Sequence, residues 1–321
     1  MVTKHIRINI DSVASMQSGA ALLVVMLVLV LLTTLATYMI EDEHLALRRT
    51  QNYRDLQQNY ELVAGSEQWA TVILRRDLFE SETDHLAEAW MRLLPEVSVD
   101  EGKLTATAQD RQGLFNINNL AAGRDKVWYP AFRRLLQMVE LDESLADAIV
   151  DWIDANQDVS GSAGAESIDY LGLDPPYRAA DQNISDIGEL LWVAGFDAEK
   201  FAKLVPYIAA LPEMNVAINV NTCPVPLLRI LGSELLDPSA AESLASGRGE
   251  EGYDDIAAFL QHPALAGSGD VAQAISAVSS RYFRIISRSE FGRVQLQLQS
   301  LLRRFPENGQ VVVLRRSRSI T

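Results

Sequence analysis

The chain of 321 residues contains a single cysteine, Cys223. One cysteine cannot form an internal disulfide bond, so packing, hydrogen bonds or bound ions must hold the fold together. We expect the Cys223 side chain to be a small buried apolar residue, which is the ordinary role of an unpaired cysteine.

Histidine is also scarce, and the four histidines are scattered: His5, His44, His85 and His262. The sequence has no G-x-S-x-G, H-E-x-x-H or glycine-rich phosphate-binding motif. The paired acids Asp254 and Asp255 have no second catalytic group beside them. We therefore expect a protein that is not an enzyme.

Basic residues are fewer than acidic ones, 28 against 43, which gives a net charge of -15. The imbalance lies in the middle of the chain, since residues 115–280 contain 25 acidic and 9 basic residues, a net of -16, and the rest is near neutral at +1. Nucleic acid is not expected as a partner, because its phosphates require basic surfaces.

Proline is absent before Pro95, and residues 20–40 carry no charge. An uncharged apolar run of this length is sufficient for a helix to cross about 30 Å of hydrocarbon. Lys4, His5 and Arg7 precede the run and Glu41 follows it at once. By the positive-inside rule, the segment is a single membrane span with the C-terminal bulk translocated.

The sequence that follows the span contains one glycine, Gly65, and no proline as far as Leu78. Apolar residues recur there at helical spacing: Leu56, Tyr60, Val63, Trp69, Val72 and Ile73. This pattern predicts one helix over residues 20–78, about 90 Å long, that packs on a globular domain through the stripe. The alternative is a membrane helix followed by an independent amphipathic helix that is broken near Gly65.

Alternating patterns predict strands near both ends of the remaining chain. Residues 97–99 and 103–108 form a hairpin pattern, and residues 282–288, 291–302 and 310–316 form a three-stranded meander. Strands on both sides of a helical tract indicate one antiparallel sheet with an insertion between its halves.

The helical tract contains a faint internal repeat. Residues 115–120, Phe-Asn-Ile-Asn-Asn-Leu, are echoed by residues 217–222, Ala-Ile-Asn-Val-Asn-Thr. The second copy also resembles the opening of a helix-hairpin-helix module, many of which bind the DNA backbone. Its acidic surroundings favour a structural packing unit instead.

Oxygen-bearing side chains are concentrated in one segment of this tract: Asp154, Asn156, Asp158, Glu166 and Asp169. Such a set suits calcium, which takes six to eight oxygen ligands. The spacing differs from an EF-hand, because Val159 stands where glycine is needed and Glu166 is one position late. We predict a structural calcium site; the alternative is a solvated acidic loop that caps helices.

The pair Ser18–Gly19 immediately precedes the apolar run. This junction resembles the prepilin peptidase site of type IV pilins and pseudopilins, which implies cleavage between Gly19 and Ala20 and methylation of the new N-terminus. A secretory signal peptide is the alternative, but its apolar core is shorter, about 7 to 15 residues, and ends in an A-x-A-like site. Val24 stands at the fifth mature position, where most family members have Glu. Loss of this Glu is expected of a subunit with no neighbour ahead of it.

Several motifs, taken in order, resemble the K class of type II secretion minor pseudopilins: residues 151–158, 164–166, 173–180 (Leu-Asp-Pro-Pro-Tyr-Arg-Ala-Ala), 186–190 and 218–222. The resemblance implies a subunit at the tip of the secretion pseudopilus that nucleates or caps the filament for protein export across the outer membrane. It implies I- and J-class minor pseudopilins, other pseudopilins, the prepilin peptidase and the inner-membrane secretion platform as partners. The chain would be a single-pass protein of the bacterial inner membrane with a periplasmic C-terminal domain.

The expected fold class is therefore α+β, with a pilin-like long N-terminal helix packed on an antiparallel sheet and a large all-α insertion. The expected divisions are a leader (1–19), the transmembrane part of the helix (20–40), the amphipathic helix with the first strands (41–113), the acidic insertion (114–278) and the C-terminal strands (279–321). The alternative function, from another class, is a membrane-anchored periplasmic calcium-binding adhesin or receptor outside any filament.

Overall fold

The computed structural model describes residues 11–99 and 102–320, with side chains from residue 19 onward. Helix α1 runs from Asp11 to Glu80 without interruption at Gly65. The predicted single long helix is confirmed, and the alternative of two separate helices is wrong. Lys4, His5 and Arg7, which support the predicted orientation, lie outside the described residues, as do Asp100 and Glu101 of the predicted turn.

Residues 20–40 of α1 are apolar and uncovered. Its most apolar stretch of 18 residues has a mean hydropathy of 2.7, and none of it is buried in the protein. A helix of this length and composition fits a single-pass membrane anchor.

Nine strands occur in the described part of the chain: β1 (Leu94–Val99), β2 (Gly102–Asp110), β3 (Phe115–Asn116), β4 (Ile208–Ala209), β5 (Ile218–Asn219), β6 (Ser276–Ala277), β7 (Tyr282–Phe291), β8 (Val294–Phe305) and β9 (Gln310–Ile320). Five of them form one antiparallel sheet in the order β1-β2-β7-β8-β9. The predicted hairpin and meander therefore belong to one sheet.

The C-terminal half of α1 packs on one face of this sheet. Ala70 and Leu74 contact a buried cluster with Phe283, Ile285 and Leu302. Val63 of α1 lies in a second apolar cluster with Leu104, Leu296 and Leu298. Polar contacts join the same two surfaces: Ser66 Oγ lies 2.6 Å from Ser287 Oγ, Ser289 Oγ donates to Asn59 Oδ1 at 2.6 Å, and Arg316 Nη2 donates to Glu67 Oε1 at 2.8 Å.

The predicted apolar stripe of α1 is wrong in part. Val63 is fully buried, but Tyr60, Trp69 and Val72 are exposed by 39%, 49% and 55%. Serine hydroxyls of the sheet form hydrogen bonds with polar residues of the helix at the interface, so the packed face is displaced around the helix. The side chains of Tyr60, Trp69 and Val72 are left uncovered in the described structure.

The segment between β2 and β7, residues 111–281, forms a unit with its own extensive hydrophobic core. Its helices are short: α2 (Trp128–Met138), α3 (Leu145–Ile153), α4 (Ser167–Tyr170), α5 (Ala198–Leu204), α6 (Pro238–Gly247), α7 (Ile256–Leu260) and α8 (Gly269–Ile275). It also contains two parallel strand pairs, β3 with β4 and β5 with β6. The insertion is thus mainly helical, and each copy of the sequence echo begins in one of these short strands.

Asparagine side chains hold the first copy in place. Asn118 is fully buried, and its Nδ2 donates to the carbonyls of Ile184 and Leu211 at 2.9 and 2.8 Å. Its Oδ1 accepts from the N–H of Ile184 at 2.8 Å. Such side-chain bonds satisfy irregular backbone that short helices leave unpaired.

A buried polar network joins the insertion to the sheet near the C-terminal end of α1. Arg304 on β8 donates to both carboxylate oxygens of Asp84 and, at 2.7 Å, to Asp77 of α1. Asn219 of β5 donates to the carboxylate of Asp110 at 3.0 Å and to the carbonyl of Asp84 at 3.1 Å. The insertion is therefore anchored where it leaves and re-enters the sheet.

Candidate functional site: an acidic loop after helix α3

Helix α3 is buried along its whole length, including its two aspartates Asp147 and Asp151. These aspartates lie one helical turn apart and so face the same side. The chain after the helix folds back over them: Ser160 N donates to Asp151 Oδ2 at 3.0 Å, and Ser162 N donates to Asp147 Oδ2 at 3.1 Å. The helix thus positions the acidic loop through carboxylates that receive its backbone N–H groups.

Two glycines permit this close approach. A Cβ on Gly161 would lie 2.0 Å from Asp147 Oδ2, and Gly161 has a positive φ of +57°. A Cβ on Gly164 would lie 2.3 Å from Asp151 Oδ2. Any larger side chain at either position would displace the loop from α3.

The three alternating predicted ligands lie in consecutive turns at the start of the loop. Asp154 ends α3 with an extended ψ of 163°, and its Oδ1 accepts from Asn156 N at 3.1 Å. The Oδ1 of Asn156 accepts in turn from Asp158 N at 2.7 Å. Asp154 is half-buried, whereas Asn156 and Asp158 are exposed.

Glu166 differs from the other predicted ligands because it is only 1% exposed. Neither of its carboxyl oxygens has a hydrogen-bond partner among the described residues. Burial raises the pKa of Glu166 to about 7, and the nearby charges of Asp151, Asp154, Asp181 and Asp158 act in the same direction. A buried carboxylate surrounded by other carboxylates is costly unless a cation neutralises it.

Asp169, the fifth predicted ligand, is exposed on α4. Its Oδ2 accepts from Glu166 N at 2.9 Å, so it fixes the start of that short helix. Its remaining oxygen is the one available to an ion. Asp169 therefore stands at the edge of the acidic group and Glu166 inside it.

Two residues near the loop were missed by the sequence prediction. The charge of Asp151 is, after burial, the largest cause of the raised pKa of Glu166. Asp181 lies beside the loop, where its Oδ1 accepts from Gln157 Nε2 at 3.3 Å. The spacing of Asp151 and Asp154 on one helix end was a visible signal, whereas Asp181 comes close only through the fold.

The acidic groups of the loop are spread more widely than a formed ion site requires. In the described ranges, the three acidic side chains with ligand atoms within 4.8 Å of one another are Asp77, Asp84 and Glu88. That cluster already contains the guanidinium of Arg304, whose charge opposes the effect of burial on the pKa of Asp84 and favours its ionised form. It is therefore a buried ion-pair network. At the loop, the unpaired carboxylate of Glu166 is the observation that fits a cation.

The predicted cleavage junction lies within α1. Gly19 and Ala20 are both exposed, and a Cβ on Gly19 would contact nothing within 4 Å. Val24 is 60% exposed on the uncovered apolar half of the helix. The junction is thus not shielded by the globular part of the described structure.

Comparison with known proteins gives matches along most of the chain. Two family models described as "Type II secretion system (T2SS), protein K" match residues 113–213 and 218–279. The chain is 35% identical over 317 residues to the type II secretion system protein K of Pseudomonas aeruginosa, covering 94% of this chain and 92% of the relative. It is 33% identical over 321 residues to the protein of the same name from Aeromonas hydrophila, covering 94% and 96%.

A solved structure is also similar. It is a chain from the crystal structure of the GspK-GspI-GspJ complex of the enterotoxigenic Escherichia coli type 2 secretion system, with 27% sequence identity and a TM-score of 0.76. The match covers 84% of this chain and 99% of that one. The two matched family regions each begin beside one copy of the asparagine-containing echo.

Proposed function

The chain belongs to the family of type II secretion system protein K and is a minor pseudopilin, and from this premise we propose that it caps the tip of the pseudopilus. The observation that carries the proposal is the position of the insertion. Asp77, which Arg304 ties to the insertion boundary, lies about 55 Å along α1 from Ile40, the end of the apolar run, at 1.5 Å per residue. The insertion therefore emerges at the end of the fold farthest from the membrane anchor.

A subunit stacked beyond this one would have to occupy the space of the insertion. Subunits on the membrane side would meet only the helix and sheet, including the exposed side chains of Tyr60, Trp69 and Val72. Contacts are therefore open on one side and blocked on the other, which is the arrangement of a cap.

The apolar half of α1 supports the same position. A glutamate within lipid needs a cation, which in pilin-type filaments is the N-terminal amine of the neighbouring subunit. Val24 has no charge to pair. The absence of a subunit ahead of this one therefore leaves no unpaired charge in the lipid at position 24.

The partners we propose are the I- and J-class minor pseudopilins, as in the complex that contains the similar structure. The test is co-purification of the full chain with both proteins from detergent-solubilised membranes. A stable assembly with one copy of each supports capping, and filaments made of this chain alone contradict it. A Val24→Glu variant is a control: because the insertion still blocks one side, it should also fail to form filaments alone.

We further propose single-pass insertion in the inner membrane with the globular part in the periplasm, removal of residues 1–19 by the prepilin peptidase, and contact with the inner-membrane secretion platform. Mass spectrometry of the membrane-extracted protein tests the cleavage: the expected mature form starts at methylated Ala20, and a mature form that retains Met1 contradicts it. A Gly19→Val variant should accumulate uncleaved. The role is structural, and we propose no catalytic activity.

We also propose that calcium stabilises the insertion, held by Asp154, Asn156, Asp158, Glu166 and Asp169. The buried, unpaired carboxylate of Glu166 supports this. The ion would supply the positive charge that these carboxylates lack and would fix the loop against α3. Magnesium suits the site less, because it demands a stricter octahedron and retains its waters. The membership of the family disfavours the alternative of a calcium-binding adhesin outside any filament.

A further inference from the structure

The face of the sheet opposite α1 meets the insertion at a cleft with a volume of about 120 Å³. Three arginines line it: Arg111 at the start of the insertion, Arg284 on β7 and Arg315 on β9. One acidic residue, Asp186, lines the same cleft. Separate elements of the fold thus bring three guanidinium groups to one cavity beside a single carboxylate.

The hydrogen bonds of the described residues leave these positive charges largely uncompensated. Arg284 donates through Nε and Nη2 to a neutral acceptor, Gln109 Oε1, at 3.1 and 2.8 Å. Arg315 donates to the carbonyl of Ser185, and its Nη2 lies 3.6 Å from Asp186 Oδ2.

Arg111 is the most enclosed of the three, at 9% exposure. Its side chain makes one hydrogen bond in the described structure, from Nη2 to the carbonyl of Ile208 at 3.3 Å. The adjacent carboxylate of Asp110 accepts instead from Asn219, Thr222 and Ser280. The guanidinium is therefore buried without a directly bonded anion.

Repulsion between the arginines is visible in their proton affinities. Burial, together with the charges of Arg284 and Arg315, lowers the pKa of Arg111 to about 10, against the opposite effect of Asp110 and Asp186. Arginine nevertheless stays charged at neutral pH. A chain with a net charge of -15 has many acids to pair with these groups, yet Asp186 is the one that lines the cleft, and the carboxylate of Asp110 bonds to other residues.

We propose that this cleft binds a single small oxyanion, a carboxylate or a sulfate- or phosphate-like group. Guanidinium groups offer paired N–H donors that match such oxygens, and charge-assisted bonds of this kind are about twice as strong as neutral ones. The cavity is far below the roughly 300 Å³ at which pockets for larger organic ligands begin. The ligand is either a free inorganic anion or the end of an acidic side chain from a partner protein.

The test measures thermal unfolding of the full chain in detergent, in sulfate and in chloride of equal ionic strength. The site variant is Arg284→Gln with Arg315→Gln, which keeps the buried Arg111. The control is Arg288→Gln, on the same face of β7, where Arg288 Nε donates to Gln297 at 2.6 Å outside the cleft. Sulfate should raise the melting temperature of the wild type and the control by about 4 °C more than that of the site variant.

Equal sulfate shifts in all three proteins would overturn the proposal, because sulfate also stabilises proteins by exclusion from their surfaces. Isothermal titration of wild type with sulfate gives a second readout that does not depend on the variant folding. Absence of measurable heat of binding there would overturn the proposal as well.

A second experiment, which measures assembly with the partner proteins, distinguishes the two sources of the oxyanion. Only this experiment rests on the proposed function. If a partner supplies a carboxylate, the site variant should bind the I- and J-class partners at least about tenfold more weakly, the effect of one lost charge-assisted bond, and sulfate should compete. If assembly is unchanged while the sulfate effect is lost, the ligand is a free anion. Failure of the wild type to assemble would contradict the proposed function and leave the sulfate result to decide the site.

Discussion

Replacing Glu166 with glutamine should have opposite effects with and without calcium. The substitution keeps the shape of the side chain and removes its charge. In chelator, it relieves a buried carboxylate that has no partner among the described residues. In calcium, it removes the proposed ligand that is best shielded from water.

The size of the stabilisation expected in chelator follows from the raised pKa of Glu166. Its folded pKa of about 7 stands above the ordinary value of 4.5, so the folded state binds the proton more tightly. Stability without calcium is therefore highest below pH 4.5 and falls as the pH rises through 7. At 1.36 kcal/mol per pKa unit the full cost is about 3 kcal/mol, and about 2 kcal/mol after allowance for screening by water around a loop.

At pH 8 in chelator, the Glu166→Gln variant should accordingly unfold about 4 to 8 °C higher than wild type. In calcium at a hundredfold excess over its Kd, the wild type gains about 2.7 kcal/mol that the variant largely forfeits, so the order reverses. The assay is thermal unfolding of the full chain in detergent, followed by tryptophan fluorescence, since Trp152 stacks on Tyr170 beside the loop at 5.2 Å.

The control is Glu251→Gln, an exposed acid of the same insertion. It should change stability by less than about 0.5 kcal/mol in either buffer. The reasoning is refuted if Glu166→Gln shifts the melting temperature by the same amount, in the same direction, with calcium and with chelator.

Three further substitutions test the framework around the site. Arg304→Met leaves Asp84 buried without its cation, although the bond from Ser280 N remains, and should cost about 3 to 5 kcal/mol in chemical denaturation. Arg76→Met, at an exposed helix pair, should cost less than about 0.5 kcal/mol; equal costs would contradict the role of the network. Asn118→Ala should cost about 3 kcal/mol, since it orphans three buried backbone groups, and a near-neutral effect on the melting temperature would show that water replaces the amide. Gly161→Ala should lower stability by at least about 1 kcal/mol and weaken calcium binding measured by titration, because of its positive φ and its contact with α3; unchanged affinity would place the ion away from the loop.

Much of the architecture could be predicted from local patterns. An uninterrupted run without proline specifies α1, and alternation specifies the strands of the sheet, because both signals depend only on the period of the side chains. The packed face of α1 could not be predicted in this way. Whether Trp69 or Ser66 faces inward depends on the serines of β7 and β8, which are more than 200 residues away in sequence and are brought close by tertiary folding.

The residues of the candidate site also differ in how far the sequence alone could predict them. Asp154, Asn156 and Asp158 could be identified because their spacing within one loop is itself the signal. The burial of Glu166 and the proximity of Asp181 depend on how the loop returns to α3, which the sequence does not encode locally. The arginine cleft could not be predicted from local sequence, since Arg111, Arg284 and Arg315 come from three distant segments.

The point at which the insertion joins the sheet explains how one fold can hold both parts. Asp110 at the end of β2 pairs with Phe283 near the start of β7, so the insertion begins and ends on adjacent hydrogen-bonded strands. Closing even a long segment between neighbouring points adds little entropy cost per residue, and the sheet keeps its register. The acidic charge is consequently concentrated at the end distant from the anchor, while the helix and sheet remain near neutral. Because charge and bulk are confined to that end, the pilin-like part can pack with its neighbours by the same surfaces whether or not the insertion binds the proposed calcium ion.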